Sequence, residues 1–240
     1  MIPKTVMILA AGLGTRMKPL TDDRPKALVT VGGRTLIDHV IDRFVEAGVE
    51  RAVVNVHAFA DMLEAHVLRR CDIEIVISDE RAQLMETGGG VRQARKLLGD
   101  DPIFISNIDS VWDEPHGSAV LRLAKGFDQG RMSARLMLAD MGQQLGYDGA
   151  GDFLMNENGA LDFRNDRPSA PWAYMGVQII DPFIVDLEPL QPFSFTRVWR
   201  RVAEAGRLYG APLGGYWMHV GDPRARDGAE ARLRTAAASP

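Results

Sequence analysis

Four cations and two glycines crowd into one short stretch, Gly12-Leu13-Gly14-Thr15-Arg16-Met17-Lys18-Pro19-Leu20-Thr21, followed after two residues by Arg24-Pro25-Lys26. Glycines let backbone N–H groups approach an anion and adopt positive φ, so amides of this kind, flanked by Arg16, Lys18, Arg24 and Lys26, can form a phosphate cradle. A second glycine cluster, Glu86-Thr87-Gly88-Gly89-Gly90, is poor helix and poor strand. It reads either as a plain connection or as backbone that something flat or bulky must approach. Ser106-Asn107-Ile108-Asp109 ends in a carboxylate. Asp109 is either a helix cap or surface charge, or a ligand for Mg²⁺, a hard ion that takes one or two protein carboxylates and completes its shell with substrate phosphates.

Other chemistries fit less well. A dinucleotide fingerprint needs a third glycine where Met17 stands and an acid after the second strand, where the chain has Asn55-Val56-His57. A P-loop needs Gly-Lys-Ser/Thr, which is absent. No Ser-His-Asp or Cys-His arrangement stands out, and His39, His57, His66 and His116 read as structural. Cys71 is the single cysteine, which excludes an internal disulfide and a cysteine zinc cluster and reads as a buried small residue in a reducing compartment. The net charge of −4 over 240 residues provides no broad positive field for nucleic acid or anionic lipid, so any anion must be held locally. Apolar runs are too short for a membrane span or a secretory leader, and a cytoplasmic location is expected.

These residues need a scaffold that brings them together. Strand-length and helix-length apolar segments alternate through residues 1–117, predicting an α/β fold with a mostly parallel sheet covered by helices. Strands are expected at 6–11, 52–56, 73–77 and 102–106, and helices at 35–47, 59–69 and 90–98. In such sheets ligands sit beyond the carboxyl ends of the strands, where the loaded segments fall. Residues 118–240 change pattern, with strands expected near 133–139, 153–155, 160–163 and 173–180, a hairpin turn at Asn156 to Gly159, a helix capped by Ser194, and a closing helix near 224–235. This half should extend the sheet and build an acceptor-binding lobe. Phe153 and Trp172 read as core aromatics.

The whole string G-x-G-T-R-M-x-P-L-T with its following Pro-Lys resembles the sugar-1-phosphate nucleotidyltransferases, the nucleoside-diphosphate-sugar pyrophosphorylases. The resemblance spans nearly the entire chain, which stops before the left-handed β-helix that many longer members carry. It implies a single nucleotidyltransferase domain over 1–240, with a Rossmann-like sheet and a smaller β-rich sugar-binding lobe. It also implies that Ala10, Ala11, Gly12, Leu13, Gly14 and Thr15 lie over a nucleotide, that Arg16 faces its phosphates and Lys26 its α-phosphate, and that Glu86, Thr87, Gly88 and Gly89 read the base. Asp109 then takes the metal-ligand role, although Ile108 replaces the family's usual glycine. A second ligand is expected from Trp217-Met218-His219-Val220-Gly221-Asp222, where His219 stands in place of an aspartate, or from Asp222 itself. Asn107, Gly151, Asp152, Tyr174 and Gly176 match the sugar pocket. The implied cofactor is Mg²⁺, with Mn²⁺ as an alternative.

The implied substrates are a nucleoside triphosphate, UTP being favoured, and a sugar 1-phosphate, with N-acetylmuramate 1-phosphate in peptidoglycan recycling ahead of mannose 1-phosphate with GTP. The acceptor is already an anion at neutral pH, so alignment and charge neutralisation by Arg16, Lys26 and Asp109 should suffice without a general base. His219 and Ile108 leave a second reading, a non-catalytic nucleotide sensor on the same fold. No nucleic-acid or membrane partner is expected, and the chain should be a monomer or small homo-oligomer.

Overall fold

The structure is a computed structural model that describes residues 2–238. The first half runs β1 (Thr5–Leu9), β2 (Thr30–Val31), β3 (Arg34–Thr35), α1 (Leu36–Glu46), β4 (Arg51–Val56), α2 (Ala60–Val67), β5 (Glu74–Asp79), α3 (Glu86–Leu98), β6 (Ile103–Asn107) and β7 (Ser110–Trp112). The second continues with α4 (Ala119–Lys125), β8 (Ala134–Asp140), β9 (Gln144–Leu145), β10 (Phe153–Met155), β11 (Leu161–Phe163), β12 (Trp172–Ile180), α5 (Thr196–Glu204), β13 (Leu208–Pro212), β14 (Trp217–His219) and α6 (Pro223–Ala238).

The main path of the large sheet is β11-β10-β12-β6-β1-β4-β5, with β8 beside β12 and β13 beside β8. β1 pairs in parallel with β4 and with β6, and β4 with β5. From β1 the chain steps outward through β4 to β5 and then returns to place β6 on the other side of β1. The order therefore reverses between β1 and β6, where open α/β sheets leave a crevice. The register sets Leu9 opposite Asn107, so the loop after β1 and the segment holding Asp109 leave the sheet side by side.

Both faces of β1 are buried, which is why Val6, Met7 and Ile8 form an unbroken apolar run. Val6 and Ile8 face a core shared with Leu36, Ile37, Val40, Ile41 and Phe44 of α1, while Met7 faces the opposite core with Val91, Ala94 and Leu98 of α3 and Val198 and Trp199 of α5. Thr35 Oγ1 accepts from Asp38 N and starts α1 at the expected place. The second half adds antiparallel β12 to the edge of β6 and extends from there. A small sheet, β7-β14-β9, brings the C-terminal Trp217 segment back to the crevice, where Val220 N donates to Asp109 O at 2.7 Å.

Two local expectations fail, at Glu86–Gly90 and at Cys71, and a third holds. The Glu86–Gly90 cluster is the first part of α3 rather than a loop. Glycine is a poor helix former in water, but here the missing side chains are demanded by packing: a Cβ on Gly88 would run into the Phe193 ring and one on Gly89 would lie 2.5 Å from Gln191 O. Ser194 stands at the start of α5 as expected, its Oγ accepting from Thr196 N at 3.4 Å while Phe195 has helical φ and ψ of −59° and −21°. Cys71 is exposed rather than buried, because it lies between the end of α2 and β5.

Candidate active site

The loop after β1 is held from beneath. Ala10 N and Ala11 N both donate to Asn55 Oδ1, at 2.6 and 3.1 Å. Asn55 Nδ2 donates to Glu80 Oε1 at 2.7 Å, and Glu80 Oε2 accepts from Met85 N at 3.0 Å. One buried amide and one buried carboxylate thus join the β1 loop to the residue preceding α3. Burial pushes the Glu80 carboxyl above its ordinary pKa, against the pull of the Met85 and Asn55 hydrogen bonds. Sequence reasoning assigns neither residue to a site; the available signal is a polar side chain at the carboxyl end of a parallel strand.

Gly14 has φ +65°, and a Cβ there would sit 3.1 Å from Lys26 Cβ and from Thr21 Cγ2. A glycine is needed so that Lys26 can pass. Lys26 Nζ then donates to Asp109 Oδ2 at 2.8 Å, with the two side chains only 11% and 17% exposed. Burial alone would raise the Asp109 pKa, but the Lys26 ammonium and the nearby His219 outweigh it and hold the carboxyl below its usual range. Its other oxygen, Oδ1, is buried without a hydrogen-bond partner. A buried, ionised oxygen left unmatched costs free energy unless a cation or donor meets it, so Asp109 fits a divalent ion.

Two cavities meet at this point. The first, about 400 Å³, is walled by Ala10, Ala11, Gly12, Leu13, Gly14, Thr15, Arg16, Lys26, Asn55, Glu86, Thr87 and Asp109, among others. The second, about 470 Å³, is lined by Tyr147, Gly151, Asp152, Arg164, Tyr174, Thr196, Trp199 and Arg200, among others. Leu9, Thr87 and Asn107 belong to both.

Some expected residues line the cavities and others stand behind or beside them. Gly88 and Gly89 are buried beneath Phe193 and Gln191, so they shape α3 without walling either cavity. Gly176 lies behind the second cavity: with φ +97°, a Cβ there would meet Ser110 Oγ at 2.8 Å and Asn107 Cβ at 3.1 Å. Of the four cations, Arg16 and Lys26 line the first cavity, whereas Lys18 pairs with Asp22 and Arg24 with Asp23 at the surface. Asp222 Oδ1 accepts from Ala225 N at 2.9 Å and so caps α6. His219 stacks among Tyr147 and Trp217, and burial lowers its pKa despite the neighbouring Asp109 charge. Among the described residues no group of three His, Cys, Asp or Glu side chains is disposed to hold a metal, so an ion on Asp109 would rely on substrate oxygens. Asp152 lines the second cavity with both oxygens engaged, by Tyr147 OH at 3.0 Å and Tyr174 N at 2.8 Å. Arg164, Trp199 and Arg200 are not foreseen from the sequence, since no local pattern links them.

A sheet with parallel central strands, a glycine-rich loop, a buried Lys–Asp pair and a second cavity alongside fit a nucleotidyltransferase. The chain belongs to the family described as the MobA-like NTP transferase domain, whose model matches residues 6–143. More narrowly, it is 51% identical over 238 residues to the N-acetylmuramate alpha-1-phosphate uridylyltransferase of Caulobacter vibrioides, covering 98% of each chain. It is 29% identical to the mannose-1-phosphate guanyltransferase beta-A of Xenopus laevis, over 91% of this chain and 61% of that protein. Among solved structures, the T. maritima inositol-1-phosphate CTP transferase superposes with a TM-score of 0.80 at 17% identity, covering 96% of each chain. A UDP-glucose pyrophosphorylase complexed with UDP-glucose superposes with 0.79 at 17% identity, covering 98% of this chain and 100% of that one. The last two establish the fold, and the α/β expectation holds. No described helix is long and apolar enough to cross a membrane.

Proposed function

We propose that the protein transfers the uridylyl group of UTP to N-acetylmuramate 1-phosphate, forming the nucleotide sugar and releasing pyrophosphate, as a step of peptidoglycan recycling. The observation that carries a group transfer is the Lys26–Asp109 pair beside the wall shared by two cavities. Identity over almost the full length to a relative of that name supports the choice of base and sugar, and the guanylyltransferase relatives are far more distant.

In this reading the triphosphate occupies the first cavity and the acceptor sugar the second. An oxygen of the acceptor phosphate forms a bond to the α-phosphorus, and the α–β bridging oxygen departs with the bonding pair on pyrophosphate. Two anions must be held in line, so the protein's task is alignment and neutralisation, for which Arg16 and Lys26 face the first cavity. Asp109 would hold Mg²⁺, with Mn²⁺ as the alternative; the ion would offset charge on the phosphates. Lys26, which pairs with Asp109 and lines the first cavity, would donate to a phosphate oxygen of the triphosphate.

Incubation with each nucleoside triphosphate, Mg²⁺ and a panel of sugar 1-phosphates tests this by pyrophosphate release. UTP with N-acetylmuramate 1-phosphate should have the highest kcat/KM. Preference for GTP with mannose 1-phosphate would replace the substrates, and release from no pairing would favour the sensor.

A further inference from the structure

Helix α5 carries three arginines that the fold treats differently. Arg197 and Arg201, four residues apart on one face, both pair with Glu188, whose side chain is almost wholly buried; the Arg197 contact is 2.9 Å. Arg200 makes no ion pair among the described residues. It shares the adjacent stripe of the helix with Thr196, four residues earlier, and both line the second cavity. Its guanidinium lies over the Phe163 ring, 4.6 Å from the centroid. A guanidinium held over a ring in this way keeps N–H groups that can donate to a carboxylate.

The rest of the cavity sharpens the point. The carboxylate of Asp152 is already engaged by Tyr147 and Tyr174, and Arg164 spends Nε on Gly151 O and Nη1 on Arg167 O. Among the described cations lining this cavity, Arg200 is thus the one with neither an ion pair nor a hydrogen bond to the protein. The acceptor's reacting phosphate must reach the first cavity, next to Lys26, so it is not the anion that Arg200 awaits. We infer that Arg200 is a specificity residue that binds a carboxylate carried by the acceptor sugar away from its anomeric phosphate. This rests on the proposed acceptor, N-acetylmuramate 1-phosphate, whose lactyl ether bears such a group.

The test compares N-acetylmuramate 1-phosphate with its lactyl carboxamide, which keeps shape and loses charge. The wild-type protein should prefer the acid by about 10- to 100-fold in kcat/KM, mostly through KM, the range expected for one charge-assisted contact. Arg200→Gln should lose that preference, and Arg200→Lys should keep part of it. UTP binding and thermal melting of both variants are measured to confirm that the nucleotide half is intact. Equal use of acid and amide by the wild type, or an undiminished preference in Arg200→Gln, overturns the inference while leaving the acceptor assignment standing. Failure of the wild type to use N-acetylmuramate 1-phosphate, with turnover of another sugar phosphate, sinks both.

Discussion

The two cavities are built in opposite ways. Nearly half of the first comes from one unbroken stretch, Leu9 to Arg16, joined by Lys26 and Asp109 among others. Apart from the shared Leu9, Thr87 and Asn107, the second is assembled from short pieces of β10, β11, β12 and α5 and the connections around them, spread from Tyr147 to Arg200. A backbone-built wall is rigid and asks for glycines at fixed places, whereas a side-chain-built wall can be altered one residue at a time. The contrast fits a site whose one half grips a triphosphate common to many reactions and whose other half chooses among acceptors.

The comparison can be broken most severely at the junction. Replacing Asp109 or Lys26 by Ala should lower kcat by about 10³-fold or more, since charge neutralisation at a transferring phosphoryl group is worth several kcal/mol. Full activity of Asp109→Ala in a pyrophosphate-release assay would remove that carboxylate from the site. Next in size is Asn55→Ala, which leaves Ala10 N, Ala11 N and Glu80 Oε1 without their partner. Unmatched buried polar groups cost ~1–3 kcal/mol each, so the melting temperature should fall and the KM for UTP should rise about tenfold, with a smaller change in the sugar KM. If both KM values rose equally, the two walls would not be separable.

Smaller effects probe the same division. Gly88→Ala should destabilise by roughly 1–3 kcal/mol by overpacking against Phe193, and Phe193→Leu should return part of it in the double variant, read by denaturant unfolding. Trp199→Phe removes the 2.8 Å bond to Gln178 Oε1 on the acceptor side. It should raise the sugar KM several-fold and leave the UTP KM within about twofold, given ~1 kcal/mol for one neutral hydrogen bond.

The same difference in construction explains what can be read in the residues alone. The β1 loop is legible because its glycines, cations and strand are contiguous, and Asp109 because it closely follows a strand. The helical placement of Gly88 and Gly89 is not, since it depends on Phe193, more than a hundred positions later, whose carbonyl accepts from both of their amides at 2.8 and 3.1 Å. Asn55 and Glu80 escape notice because a polar side chain at a strand end acquires meaning only once the loop above it is placed. Lys18 and Arg24 look equivalent to Lys26 by spacing, yet only Lys26 is turned inward, past Gly14.

The segment around Phe193 also bears on how such a protein can be redesigned. Its carbonyl fastens the start of α3, and two residues on Phe195 N donates to Thr87 Oγ1 at 2.9 Å, just where the acceptor-facing α5 sets out. Any insertion that swings α5 outward to admit a bulkier sugar therefore tugs on Thr87, and through it on the wall that the two cavities share. Engineering a new acceptor is better begun with side chains such as Arg200 than with the path of the chain.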